Sequence, residues 1–262
     1  GSPGKARCTM AEFYGLPNAQ EFWHWTNALH FVLVGLAGGV ALLAALLHLK
    51  GDAEARRYTL YALMLIALDL FILWAESPAR FRFTHIWLFL SFHPTSPIWW
   101  GAWGLGLGFL TGGLLYLGKG SQRALAWALL VFSLVALSYP GLALAVNLNR
   151  PLWNGLMAGL FPLTALVLAL GLAALLKSPW ALFPLRVLAG ASLLLALLYP
   201  LTLPPEARGH LLEEAGFWYG LFLLLGLGTF WQERLAPWAG LLAAAGLRAL
   251  LVLAGHWQGL GL

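Results

Sequence analysis

Eight runs of about 20 apolar residues dominate this chain, near 23–49, 58–76, 97–117, 123–146, 152–176, 180–200, 211–232 and 238–257. At 1.5 Å rise per residue such a run crosses about 30 Å of hydrocarbon. Backbone in lipid must satisfy its own hydrogen bonds, so runs of this length fold as helices. Composition agrees: of 262 residues 61% are hydrophobic and 10% charged, where soluble domains carry about 25% charge. Most segments are apolar on every side, whereas a soluble helix shows a polar stripe. The chain therefore reads as an all-α integral membrane protein with eight transmembrane helices in one polytopic domain over 10–262. Two four-helix bundles are the expected arrangement. Residues 1–9 precede Met10 and are read as leader or tag residues without a function.

Polar breaks separate the runs, at Lys50-Gly51-Asp52, Gly118-Lys119-Gly120, Asn149-Arg150-Pro151, Lys177-Ser178-Pro179, Pro204 to Arg208 and Gln232 to Pro237. An even number of spans puts both termini on one side. With that side outside, the inner set is Lys50, Arg56, Arg57, Lys119, Arg123, Lys177, Arg186 and Arg234, against six outer cations. The positive-inside rule then favours extracytoplasmic termini. The longest loop, 77–96, holds the short apolar run Ile86 to Phe92, read as an interfacial helix or lid. The net charge of +5 comes from scattered Lys and Arg with no basic patch, so lipid headgroups and not nucleic acid are the expected counterpart. Cys8 is the only cysteine, which rules out an intrachain disulfide or a cysteine-ligated metal cluster.

Polar side chains within the spans are costly, and ionisable ones usually mark function. Asn27 and His30 lie one helical turn apart in the first span, roughly 6 and 10 Å below a boundary near Trp23. Tyr139 lies roughly 10 Å deep near the end of span four. An amide, an imidazole and a phenol at matching depth suit a quinone headgroup, whose carbonyls need donors and whose quinol must lose protons. His30, titrating near neutral pH, is a candidate proton acceptor. Bonding between neighbouring helices is the plain alternative. Deeper still, Asp69 in span two and Arg248 in span eight are expected to pair with each other. Glu76 follows on the face of Asp69. Arg186 either joins this set or reaches the inner interface. The four suggest a proton route, a charge pair responsive to a ligand, or a structural salt bridge. Bis-histidine haem is the rival cofactor, with His30 and His256 as the one available pair. Gly35 and Gly39, then Gly104, Gly108 and Gly112, form ridges for close helix contact.

The stretch EFYGLPNAQEFWHWTNALHFVLVGLAGG, the eight-span layout and SYPGLALA around Tyr139 resemble the NrfD/PsrC family, the quinone-interacting membrane subunit of bacterial polysulfide reductase. The chain looks like a Thermus-type member from Met10 onward. The resemblance implies a haem-free and metal-free subunit of the bacterial inner membrane, with Asn27, His30 and Tyr139 at the quinone. It implies menaquinol oxidation near the extracytoplasmic face and electron transfer to an iron–sulfur subunit. A molybdopterin subunit on the same side would then reduce the sulfur compound. Asp69, Glu76, Arg186 and Arg248 look like the family's proton-movement residues. Two other classes stay open at this point: a haem-free transporter or proton channel centred on Asp69 and Arg248, and a purely structural anchor.

Overall fold

The computed structural model describes residues 25–76, 92, 94–146 and 150–255. The leader, Cys8, most of the 86–92 run and His256 lie outside the described residues. Those described form eight helices: α1 Trp25–Lys50, α2 Ala55–Glu76, α3 Pro97–Tyr116, α4 Gln122–Ala145, α5 Met157–Leu175, α6 Leu182–Thr202, α7 Pro205–Leu227 and α8 Ala236–Ala254. A 3-10 turn, Gly228–Phe230, follows α7. All eight helices are long and apolar enough to cross a membrane, and the described residues contain no strand. Phe183, Leu201 and Leu224 lie on the outer surface, each more than half exposed, which suits side chains facing lipid. The chain is a multi-pass membrane protein.

Two spans begin elsewhere than the hydropathy suggests. The fifth was expected from 152, but α5 starts at Met157. Residues 150–156 turn instead, with Trp153 N–H donating to Arg150 O and Leu156 N–H to Asn154 Oδ1. Pro151, Asn154 and Gly155 are turn residues, and their local bonds outweigh an apolar flank. The seventh was expected from 211, but α7 starts at Pro205, at the first helical turn where proline fits. Arg208 closes the tight corner by donating to Pro200 O at 2.8 Å and Leu203 O at 3.2 Å. Polar residues in the first turns of α7 had hidden them from a hydropathy reading.

Packing follows chain order twice. Within the first four helices α1 packs on α2, α2 on α3, α3 on α4, and α4 returns to α1; α5 to α8 repeat the pattern, α8 returning to α5. The two sets meet where α1 touches α5 and α8, and α4 touches α5. An 18-residue apolar stretch of α1 is 67% buried and one in the span of α7 17%, so the helix bearing Asn27 and His30 is central. Helices in lipid associate through close backbone packing rather than apolar desolvation. Gly39 illustrates it: a Cβ there would lie 2.7 Å from both Ala165 O and Ala169 Cβ of α5. At the opposite end from the start of α1, the carboxylate of Glu54 ties the α1–α2 corner to the α5–α6 corner. It accepts from Arg57 at 2.6 Å, Ser178 at 3.0 Å and Trp180 Nε1 at 2.8 Å.

Gly39→Val is expected to force α1 from α5 and cost about 1–3 kcal/mol, read as a lower thermal midpoint of the purified protein. Gly106→Ala, where a Cβ meets nothing within 4 Å, should leave that midpoint unlowered.

Candidate functional site

The fourth residue after Asn27 along α1, Phe31, follows a histidine that cannot sit in lipid without partners. His30 finds them on two other helices. Its Nδ1 lies 2.6 Å from Asp69 Oδ1 on α2, and its Nε2 lies 3.0 Å from the Tyr139 hydroxyl on α4. All three side chains are buried, Asp69 completely. The roles follow from the donor inventory. A carboxylate only accepts, so Nδ1–H donates to Asp69, and in the neutral imidazole Nε2 then accepts from the Tyr139 O–H. A proton arriving at Nε2 reverses that second bond and leaves an imidazolium held by the carboxylate. The other oxygen, Asp69 Oδ2, is buried without a hydrogen-bond partner among the described residues.

The close approach of α3 to α4 seats the phenol. A Cβ at Gly101 of α3 would lie 2.5–2.6 Å from the Tyr139 ring, so only glycine admits the ring there. Asn27, one turn before His30, is buried at the same end of α1.

Arg248 does not pair with Asp69, contrary to the expectation from charge. It is buried on α8, and its guanidinium clamps backbone instead. Nε and Nη2 donate to Phe31 O of α1 at 2.8 and 2.6 Å, and Nη1 donates to Phe161 O and Thr164 Oγ1 of α5 at 2.6 and 3.1 Å. The planar fork of arginine can bridge two helices in this way, where a lysine ammonium could not match the geometry. Its Cζ also lies 4.6 Å over the Phe161 ring. Gly35 makes the room, since a Cβ there would fall 2.6 Å from Cζ. One turn of α1 is thus held from both sides: His30 by α2 and α4, and the Phe31 carbonyl by α8.

The structure brings His30, Asp69 and Tyr139 into one chain and sets Arg248 beside it. Arg186 stands apart, near the start of α6 at the opposite end, where Nε donates to Thr229 O at 2.9 Å and Nη2 to Trp231 O at 3.5 Å. Glu76 is the last residue of α2, and its side chain lies outside the described residues. Sequence reading passed over Thr164, Gly101 and the two carbonyls. A lone threonine within the apolar run of span five was the one available signal for Thr164. Among the described residues no group of three or more His, Cys, Asp or Glu could hold a metal ion.

A family model described as polysulfide reductase, NrfD_2, matches residues 10–259. A search of the curated proteins finds no match. The family supplies the membrane subunit of polysulfide-reductase-type oxidoreductase complexes, which also contain iron–sulfur and molybdenum subunits. The match runs nearly end to end and coincides with eight membrane-length helices, so the chain belongs to the NrfD family of polysulfide reductase membrane subunits.

Proposed function

We propose that this chain oxidises menaquinol at the end of the bundle where α1 begins, taken as the extracytoplasmic end. Electrons pass from there to an iron–sulfur partner subunit, and a molybdopterin subunit beyond it carries out sulfur-compound reduction. The observation that supports this reading is the buried chain Asp69–His30–Tyr139, which provides proton acceptors at membrane depth beside a buried amide, Asn27. A quinol bound there supplies two electrons and two protons.

The donor set fits such a headgroup. The Asn27 amide and the Tyr139 hydroxyl can orient two ring oxygens. Tyr139 can accept a hydrogen at its oxygen while donating its own to Nε2 of His30, so a proton taken at the phenol leaves at the imidazole. Asp69 holds the resulting imidazolium through Nδ1–H. The free oxygen of Asp69 can take the next hydrogen bond. In this scheme Arg248 is a positioning residue that fixes the turn bearing His30.

The transporter reading loses its centre, because Asp69 and Arg248 share no hydrogen bond or ion pair. His30 as a haem ligand would have to give up the Tyr139 bond at Nε2 or the Asp69 bond at Nδ1.

Tyr139→Phe keeps the ring in its Gly101 seat and deletes the hydroxyl. Quinol oxidation by the purified complex should fall about 10²-fold, in the range of lost general acid–base catalysis, with subunit assembly intact. Wild-type turnover and wild-type affinity for a quinone-site inhibitor in this variant would remove Tyr139 from the site. Asp69→Asn separates binding from chemistry. The amide oxygen can still accept from Nδ1–H and hold the ring, but the charge that stabilises the imidazolium is gone. Inhibitor affinity should stay near wild type while turnover drops; equal loss of both would make Asp69 a binding residue instead.

A further inference from the structure

Membrane helices silence a buried hydroxyl by turning it back on their own carbonyls. Among the described residues, the buried serine and threonine hydroxyls of the helices do so with one exception. Thr59 donates to Ala55 O, Thr111 to Leu107 O, Ser133 to Leu130 O, Thr164 to Leu160 O and Thr229 to Gly226 O, all at 2.8–2.9 Å. Ser192 on α6 makes no such bond: its Oγ is buried and has no hydrogen-bond partner among the described residues. It lines a cavity of about 20 Å³ between α5, α6, α7 and α8, and Thr164 and Thr229 line the same cavity.

From these observations we infer that the cavity beside Ser192 is a binding site for one buried water molecule. The volume matches, since about 10–15 Å³ on this measure admits a water. The valences match as well. Ser192 has an O–H with no acceptor. Thr164 Oγ1 donates within its helix and accepts from Arg248 Nη1, which leaves one lone pair. Thr229 Oγ1 donates to Gly226 O, which leaves two. A water accepting from Ser192 can donate to a threonine of the lining, and two to four such partners are what an internal water needs. A cation is disfavoured, because no carboxylate lines the cavity and the Arg248 guanidinium already sits on Thr164.

Arg248 clamps Thr164 near the His30 end, and Arg186 binds the backbone carbonyl of Thr229 near the other end. The cavity thus lies between two segments that arginines hold, in the second set of four helices. The site is independent of the quinol reading, because its geometry involves neither His30 nor Tyr139.

Hydroxyl-radical footprinting of the intact complex by radiolysis tests it, because side chains touching bound internal water are oxidised even when bulk solvent cannot reach them. Leu193 and Leu247 line the cavity and are 9% and 3% exposed, and Leu43 and Leu137, at 8% and 3%, match them elsewhere. The two cavity leucines should be labelled several-fold faster than the two controls. Ser192→Ala should abolish that excess and Ser192→Thr should keep it. Labelling of Leu193 and Leu247 at the control rate in the wild-type complex would overturn the water site, whatever the variants do. An excess that survives Ser192→Ala would remove Ser192 from it.

Discussion

The contact between His30 and Asp69 organises one end of this protein. A carboxylate with no exposure at membrane depth costs about 2.5–3.5 kcal/mol even on permissive insertion scales, and it persists only beside a donor. His30 is that donor, at 2.6 Å. Because the imidazole has two nitrogens, satisfying Asp69 leaves the second to be satisfied in turn. Tyr139 does this from a third helix. Three helices are thereby held in register by side chains whose protonation states depend on one another, which is also what a site releasing protons from a substrate requires.

Arg248 meets the same problem by another route. Its charge is spread over a planar group with five donors, and backbone carbonyls of two helices take four of the bonds it makes together with Thr164. Carbonyl dipoles can stabilise a guanidinium without a counter-ion, whereas a carboxylate has no such recourse among backbone N–H groups already bonded within helices. The asymmetry accounts for the separation of the two charges. Asp69 needs a side-chain donor, and the guanidinium can make do with the peptide backbone. That the bonded carbonyl belongs to Phe31, the neighbour of His30, means the two solutions brace a single turn of α1.

The spans were legible in the sequence because hydrocarbon thickness fixes their length and lipid demands continuous apolarity. Their starts at Met157 and Pro205 were not, since turn chemistry at Asn154 and polar first-turn residues such as Glu206 and Arg208 act below the resolution of hydropathy. Depth alone joined His30 to Tyr139, because rise per residue converts sequence position into height. It could not assign partners around the bundle axis. Helices apolar on all sides carry little periodic signal to say which face turns inward, so Asp69 was matched to the opposite charge of Arg248 rather than to the histidine at its own level. Gly101 was invisible for a related reason: a glycine reveals its purpose only when the ring it admits is known.

The distribution of polar groups also separates the two sets of helices. In the first set, the buried hydroxyls Thr59, Thr111 and Ser133 donate to carbonyls of their own helices. On α1 the residues below the site are Val34, Ala37, Val40, Ala41 and Ala44, at most 2% exposed. Apolar packing of that kind separates the His30 chain from the opposite end of the bundle. The second set offers the contrary pattern, with an unpartnered hydroxyl and a cavity between two arginine clamps. Side-chain bonds join the two sets at both ends, through Arg248 beside His30 and through Glu54 at the opposite corner, because a charge buried in lipid draws its partners from whichever helix presents them.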